Sequence, residues 1–245
     1  MIKIMLNKNY NLKYLHWDTN YFGVKSGRVD IKGILNQNEK KEIIDFFSEF
    51  KFITISNENN TNENNIWIGN NTNAFLTDLN VQFEKKLEHA LHYEDKNITI
   101  MNSMAKNEDI LNIAKKSFRY SRFFNDFNLP EIKSKNIYHY WTECAFENEY
   151  KYFAIAKRES LVVGYLLFSL VKENIIIELI AVDENYIGRK IGKSLIKSIE
   201  MFAKKSNIKK IKVGTQADNV KAIQFYCANG FKYKGCKSVY HLWNK

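Results

Sequence analysis

Proline and cysteine are scarce in this chain of 245 residues, which contains one proline and three cysteines. The cysteines, Cys144, Cys227 and Cys236, are odd in number and show no Cys-x-x-Cys spacing, so the sequence indicates neither a disulfide framework nor a zinc site. No apolar run approaches the ~18 residues of a membrane-spanning helix, and the amino terminus lacks the apolar core of a signal peptide. We therefore expect a protein of the reducing cytoplasm that holds no metal.

The excess of basic residues suggests an anionic ligand. Lysine and arginine number 37 against 27 aspartates and glutamates, which gives a net charge of +10. Such a balance suits nucleic acid, a membrane surface or a phosphate-rich small molecule. Lysines that only keep the surface soluble are an equally weighted alternative. Because no arginine-rich block or basic amphipathic helix is present, we expect neither nucleic acid nor a membrane as partner. The sequence leaves both a monomer and a homodimer as alternatives.

Strand and helix patterns alternate along the chain and predict an α/β (α+β) fold. We divide it into an amino-terminal α/β domain, residues 1–95, and a second domain, residues 96–245. In the first domain, Trp17–Gly23 is predicted to form a turn, and the Asn-rich segment 57–73 is predicted to form an exposed loop. The predicted strands are 27–31, 52–56, 80–87, 98–101, 152–157, 161–171, 175–182, 208–214 and 239–243, and the predicted helices are 39–50, 108–118, 137–146, 192–205 and 220–229. Strands 152–157 and 161–171 are expected to form a hairpin, and Asn107 is a candidate N-cap of the helix 108–118.

One short helix carries a tyrosine that its fold does not require. Asn219 is a good N-cap and Gly230 is a good helix stop, so the pattern predicts a helix over residues 220–229. Tyr226 follows Asn219 by about two helical turns, and the two side chains therefore share a face. Any apolar residue would serve for packing at position 226, so a chemical role for the phenol and plain core packing both stay open.

A loop between a strand ending at Val182 and an amphipathic helix has the composition of an anion site. Such a junction presents free backbone N–H groups at the positive end of the helix dipole. Its glycines permit close approach of a ligand and its basic side chains add charge; these residues are Gly188, Gly192, Arg189, Lys190 and Lys193. An ordinary βα turn explains the same residues, and neither the Rossmann nor the phosphate-loop pattern is present.

This loop, with its strand and helix, resembles the acetyl-CoA-binding motif of the GNAT N-acetyltransferase family, Gln/Arg-x-x-Gly-x-Gly/Ala. Ile187 and Lys190 stand where the motif has Gln or Arg and its first glycine, and Gly192 matches its last position. The downstream Asn219 and Tyr226 are also similar to the family's pattern. The resemblance implies the GNAT fold, a mixed central sheet flanked by helices, with acetyl-CoA as cosubstrate.

The resemblance covers roughly residues 98–245 and implies roles for several of them. Tyr226 is the expected general acid. Glu178, the lone charge in an apolar strand, is the expected general base, since a buried carboxylate can take a proton from an amine. A strand-edge carboxylate paired with a lysine is the alternative for Glu178, and a plain helix cap is the alternative for Asn219. The residues expected to bind the cofactor are Ala181, Val182, Ile187, Gly188, Arg189, Lys190, Ile191, Gly192, Lys193 and Asn219.

Short motifs in both halves of the chain are similar to those of family members that acetylate TDP-linked aminosugars. They contain Trp17, Phe22, Ser121 and Arg122, which we expect to bind substrate. Arg122 suits a diphosphate because its fork binds phosphate bidentately, and a surface ion pair is its alternative. The resemblance thus implies an N-acetyltransferase that acts on a nucleotide-linked (TDP or UDP) amino-dideoxysugar for surface polysaccharide synthesis. Acetylation of a peptide or small amine, and a non-catalytic anion-binding module, are the alternative functions.

The five histidines show no metal-ligand spacing, and we interpret each as structural or exposed. His16 follows this interpretation too, although its position beside Trp17 would also allow it to line a substrate pocket. The other four are His89, His92, His139 and His241.

Overall fold

The computed structural model describes residues 8–87 and 95–244, so His89 and His92 lie outside the described residues. The strands are β1 (Tyr10–Tyr14), β2 (Ser26–Ile31), β3 (Phe52–Asn57), β4 (Phe75–Lys86), β5 (Ile98–Asn102), β6 (Lys151–Arg158), β7 (Leu161–Val171), β8 (Asn174–Val182), β9 (Lys210–Gln216) and β10 (Lys232–Trp243). The helices are α1 (His16–Phe22), α2 (Gln37–Phe47), α3 (Asn62–Asn71), α4 (Glu108–Ser117), α5 (Glu131–Phe146), α6 (Ile191–Lys205) and α7 (Val220–Ala228). None of the helices in these two stretches is long and apolar enough to cross a membrane.

The described residues divide into two compact units. The first unit contains residues 8–81, 121–134 and 235–244, and the second contains residues 82–87, 95–120 and 135–234. Each unit therefore takes segments that are distant from one another in the sequence. The division into domains at residue 95 stays a prediction.

In the first unit, β1, β2, β3 and β10 are neighbours in that order. Strand β2 runs parallel to β3, whereas β1 and β10 are antiparallel to their partners. The core of this unit contains Ile31, Ile53 and Ile55 from the strands together with Ile43 and Ile68 from α2 and α3, all fully buried. Apolar residues on one face of β2 and β3 thus pack against buried apolar residues of α2 and α3.

The exposed loop predicted over segment 57–73 is wrong, because α3 occupies most of it. Trp67 and Ile68 are buried in the core of the first unit. Asn64 is also buried, and its Nδ2 donates to the carbonyl oxygen of Gly33 at 3.0 Å. Burial and long-range hydrogen bonds therefore outweigh the low helix propensity of an asparagine-rich sequence.

The cluster Trp17–Gly23 forms helix α1 rather than a simple turn. The helix ends at Phe22, and Gly23 follows with φ of 76°, a left-handed conformation that glycine adopts at little cost. Strand β1 was not predicted because four of its five residues are exposed, which leaves no alternating apolar pattern to detect.

The second unit contains an antiparallel run of β5, β6, β7 and β8, with β9 parallel to β8. The predicted β6–β7 hairpin is confirmed, and Asn107 caps α4 as predicted, since its side chain accepts from the Ile110 N–H at 3.0 Å. Helix α5 begins at Glu131, earlier than predicted, directly after Pro130, whose fixed φ suits a helix start. The predicted mixed α+β fold is confirmed.

Candidate active site

Strands β8 and β9 pair along only part of their length. Their parallel pairing runs from Asn174 and Lys210 to Ile177 and Val213, and no pair beyond these is formed in the described part of the chain. The end of β8 and the end of β9 therefore separate. The backbone groups along their facing edges are left available to a ligand.

A bulge in β8 lies at the same point. Leu167 of β7 pairs with Leu179, and the next residue, Phe168, pairs with Ile177, so Glu178 is an extra residue without a partner across the ladder. Bulges bend a strand, redirect a side chain and occur often beside active sites. The single charged residue of β8 is thus the residue that the bulge displaces from regular pairing.

A cavity of about 640 Å³ opens where the two strands separate. All of its lining residues belong to the second unit. The predicted site residues that line it are Glu178, Ala181, Val182, Ile187, Gly192, Asn219 and Tyr226. The other predicted cofactor residues belong to the same loop and to the first turn of α6, outside the lining; they are Gly188, Arg189, Lys190, Ile191 and Lys193.

The first turn of α6 presents unpaired backbone N–H groups. Its N-cap, Lys190, makes no side-chain cap, and the Ser194 N–H donates to the Lys190 carbonyl oxygen at 3.0 Å. The N–H groups of residues 191–193 have no acceptor among the residues that the structure describes. With the helix dipole and three neighbouring cations, these donors fit a phosphate or pyrophosphate group.

Two residues give this turn its shape. Lys190 has φ of 62° and ψ of 10°, the left-handed conformation, at the position where the family motif has its first glycine. Gly192 lies against the ring of Phe225 in α7, because a Cβ added at Gly192 would stand 3.1 Å from that ring. A larger side chain at Gly192 would therefore displace the ring or enter the cavity.

Tyr226 is held in α7 by aromatic neighbours. Its ring centroid lies 5.9 Å from that of Phe83 and 5.6 Å from that of Phe231, and the residue is 4% exposed. Burial raises the pKa of Tyr226. Within residues 8–87 and 95–244, no group hydrogen-bonds to its hydroxyl, and Ser134 Oγ is the only fully buried side-chain polar atom without a partner. The Tyr226 hydroxyl therefore keeps contact with open space, which the cavity supplies.

Asn219 fulfils the capping role expected from the sequence. Its Oδ1 accepts from the Ala222 N–H at 3.1 Å at the start of α7, and Gly230 follows the helix with φ of 80°. The residue also lines the cavity, so capping and ligand contact are compatible at this position.

Glu178 pairs with a lysine, as one of the alternatives drawn from the sequence expected, and its role as the general base stays a prediction. Its Oε1 forms an ion pair with Lys151, and its Oε2 accepts from Trp141 Nε1 at 3.3 Å. The Glu178 side chain is 10% exposed and lines the cavity. A carboxylate oxygen has more than one lone pair, so these contacts still leave acceptor capacity for a proton or a water molecule.

The four residues expected to bind substrate belong to the first unit. Phe22 and Ser121 are buried, and Trp17 stacks on Tyr21 with ring centroids 5.2 Å apart. A role for any of the four in substrate binding stays a prediction.

Arg122 and His241 form a buried polar network that the sequence did not reveal. Arg122 Nη1 donates to Thr54 Oγ1 and to His241 Nε2, both at 2.9 Å. His241 is fully buried, and its Nδ1 donates to Asp126 Oδ2 at 2.6 Å. Burial lowers the pKa of His241 to about 4, so the ring is neutral near pH 7. No signal in the local sequence links these residues, because they lie far apart in the chain.

The cavity lining also contains many residues that were not predicted as site residues. Among them are Phe118, Arg119, Tyr120 and Tyr138. The aromatic spacing of the segment was visible in the sequence, but only the fold brings α4, its following residues and α5 beside Glu178.

Comparison with known proteins places half of the chain in one family. Residues 109–231 match the acetyltransferase (GNAT) family. A Bacillus subtilis (strain 168) spore coat polysaccharide biosynthesis protein, SpsD, is 29% identical over 136 residues, which are 56% of this chain and 47% of that protein. The chain therefore spans about half the length of this curated relative.

Solved structures share the fold at low sequence identity. A GCN5-related N-acetyltransferase from Sphaerobacter thermophilus superposes with a TM-score of 0.63 at 10% identity, over 96% of this chain and 76% of that one. A conserved protein of unknown function from Staphylococcus epidermidis ATCC 12228 gives the same TM-score at 11% identity, over 98% and 94% of the two chains. With the family match over the cavity-forming strands and helices, this chain belongs to the GNAT acetyltransferase family.

Proposed function

We propose that this enzyme transfers the acetyl group of acetyl-CoA to the amine of a nucleotide-linked (TDP or UDP) amino-dideoxysugar. One observation carries the proposal. Glu178 of β8 and Tyr226 of α7 line a single cavity at the separation of β8 and β9. Acyl transfer to an amine requires a proton acceptor for the amine and a proton donor for the departing thiolate, and these side chains are of the right types.

The loop 187–193 and the separated strand ends are the groups that would hold acetyl-CoA. The free N–H groups at the start of α6, with Arg189, Lys190 and Lys193, suit its phosphates. Unpaired backbone groups at the end of β8 suit an amide-containing arm. When bound, the cosubstrate supplies an acetyl thioester that is activated toward amines.

The residues of the cavity divide the proton movements between them. Glu178 receives a proton from the attacking amine, directly or through water, while nitrogen bonds to the acetyl carbon and the carbon–sulfur bond breaks. Tyr226 hydrogen-bonds to the sulfur as negative charge develops, and the proton follows as the thiol leaves. Burial raises the pKa of Tyr226 above its ordinary value, whereas a cysteine-like thiol has a pKa of about 8.5. The phenol therefore stays protonated, and full proton transfer early in the step is unfavourable.

The acceptor class is supported by sequence similarity. The motifs around Trp17, Phe22, Ser121 and Arg122 are similar to those of aminosugar acetyltransferases. The relative from B. subtilis is a spore coat polysaccharide biosynthesis protein. Both favour a sugar substrate in surface polysaccharide synthesis.

The test uses the purified protein with acetyl-CoA and a panel of TDP- and UDP-linked aminosugars. Thiol release and product mass are measured, and at least one nucleotide sugar is expected to be N-acetylated. Glu178→Gln should lower kcat at least about tenfold. The matched control is Glu173→Gln, which changes an exposed carboxylate paired with Lys209.

The panel also separates the alternatives. Turnover confined to peptides or small amines would reject the nucleotide-sugar acceptor. Acetyl-CoA binding without thiol release for any amine would indicate a non-catalytic module.

A further inference from the structure

The cavity has a second wall that the acetyl-transfer chemistry does not use. This wall, which we call the aromatic wall, consists of the cavity-lining residues Lys116, Ser117, Phe118, Arg119 and Tyr120, at and after the end of α4, together with Tyr138 of α5. All six belong to the second unit, as do Glu178 and Tyr226.

Two aromatic side chains of this wall, Phe118 and Tyr138, are held in place by packing. The ring centroids of Phe118 and Tyr138 are 4.6 Å apart, and those of Tyr138 and Trp141 are 6.3 Å apart with nearly parallel planes. The Tyr138 hydroxyl donates to the carbonyl oxygen of Tyr120 at 3.2 Å. Phe118, Tyr138 and Trp141 are partly buried and pack on the core of the second unit. A ligand would therefore meet a preformed apolar face rather than a flexible one.

The rings of Trp141, Tyr138 and Phe118, which we call the array, connect the proposed base with the part of the chain that carries two basic residues. Trp141 Nε1 donates to Glu178 Oε2 at 3.3 Å, so the inner end of the array contacts the carboxylate. At the other end, Phe118 is followed by Arg119, and Lys116 lies one turn earlier on α4. Side-chain contacts thus link Glu178 through Trp141 and Tyr138 to Phe118, and Lys116 and Arg119 lie close to Phe118 in the chain.

The two cations carry no compensating charge. Arg119 and Lys116 are exposed, and neither forms an ion pair or hydrogen bond with any residue that the structure describes. Some other basic residues of the same unit are paired, as Lys106 is with Glu143 and Lys151 is with Glu178. Unpaired basic groups on a cavity wall favour an anionic ligand, and a guanidinium fork suits phosphate oxygens.

We infer that the aromatic wall is the acceptor subsite and binds a nucleoside diphosphate sugar in an extended arrangement. The sugar amine lies at Glu178, the sugar ring packs on Tyr138, and the diphosphate binds Arg119 and Lys116. A deoxysugar presents an apolar C–H face that matches an aromatic ring. This assignment rests on the proposed function and adds the residues that select the diphosphate. The guanidinium of Arg122, by contrast, already donates to Thr54 and His241.

The first experiment measures the binding of TDP and UDP alone by calorimetry, with no sugar and no turnover. Arg119→Ala is expected to weaken binding about tenfold or more, as for the loss of a charge-assisted hydrogen bond. Lys116→Ala should weaken binding several-fold, and Arg119→Lys should recover part of the affinity. Lys115→Ala is the matched control, because Lys115 is an exposed neighbour on α4 outside the cavity lining.

The second experiment uses kinetics to test the ring. Tyr138→Leu removes the aromatic face and should raise the KM for the nucleotide sugar about tenfold, while the KM for acetyl-CoA stays within twofold. Tyr138→Phe keeps the ring and should retain most of the affinity for the nucleotide sugar. Unfolding midpoints of all variants identify any that fail to fold, and Arg119→Ala, at an exposed position, keeps the inference testable if Tyr138→Leu is unstable.

The outcomes separate this inference from the proposed function. If TDP and UDP do not bind, or bind equally to wild type and Arg119→Ala, the aromatic wall is not the diphosphate subsite, whatever the enzyme acetylates. Affinity lost in Arg122→Ala but kept in Arg119→Ala overturns it in the same way. Diphosphate binding that depends on Arg119, without acetylation of any nucleotide sugar, supports the subsite and rejects the proposed reaction.

Discussion

Replacement of Lys190 by glycine should stabilise this protein while weakening acetyl-CoA binding. Lys190 adopts φ of 62° at the N-cap of α6, a conformation that L-residues with a Cβ rarely adopt. Its side chain belongs to the basic loop that we propose to hold the phosphates. The backbone strain at Lys190 therefore lowers the stability of the fold, whereas its ammonium group is expected to strengthen acetyl-CoA binding.

The magnitude follows from two opposing terms. The left-handed conformation costs an L-residue about 1–2 kcal/mol. Glycine relieves this strain but loses about 0.5–1 kcal/mol of additional chain entropy on folding. The middle values of the two ranges differ by about 0.75 kcal/mol, which is the expected gain in the free energy of unfolding. For a chain of this size that gain corresponds to a rise in Tm of about 1–4 °C. Loss of an exposed charge contact worth about 1 kcal/mol would weaken acetyl-CoA binding about fivefold.

Two control variants separate backbone from charge. Lys190→Ala removes the charge but keeps a Cβ in the left-handed conformation, so acetyl-CoA affinity should fall as in the glycine variant with little change in Tm. Lys193→Gly removes a charge inside α6, where glycine costs about 1 kcal/mol of helix stability, so its Tm should fall. Urea unfolding and calorimetry measure both quantities. The reasoning is refuted if Lys190→Gly lowers Tm as Lys193→Gly does, or if neither Lys190 variant binds acetyl-CoA more weakly.

Three further predictions concern the cavity and the buried histidine. Tyr226→Phe keeps the ring packing and removes the proton donor, so kcat should fall at least about a hundredfold with Tm and acetyl-CoA affinity nearly unchanged. A kcat within about threefold of wild type, when chemistry limits the rate, would show that Tyr226 has only a packing role. Gly192→Trp should abolish acetyl-CoA binding in calorimetry, because Gly192, in the first turn of α6, already lies against the ring of Phe225 in α7 and leaves no room for an indole. Unchanged affinity would show that this turn is not part of the cofactor site. Burial lowers the pKa of His241 from 6.5 to about 4, so the unfolded chain binds the proton more tightly, and the free energy of unfolding should decrease as pH falls from 6.5 toward 4. His241→Gln should flatten this part of the stability profile, and an equal slope in both proteins would show that another group causes it.

The sequence by itself determined the elements whose signals are local. Helix α7 could be predicted because Asn219 caps its first turn and Gly230 ends it, both within a few residues of the helix. The β6–β7 hairpin followed from two apolar runs joined by a short turn. The family motif after β8 located the start of α6 and its basic loop, and thereby most of the predicted cofactor residues.

Only the tertiary structure decided which of these residues meet. The bulge that displaces Glu178 depends on the register between β7 and β8, and its partners Lys151 and Trp141 lie 27 and 37 positions away in the chain. The contact between His241 and Asp126 spans 115 positions. Capping and backbone preference act within about one helical turn, whereas these contacts depend on strand order and on which side chains the core buries. For this reason the asparagine-rich segment was predicted as a loop, although the burial of Asn64, Trp67 and Ile68 holds it in a helix. The cavity between β8 and β9 likewise depends on the strand pairing, which the sequence did not reveal.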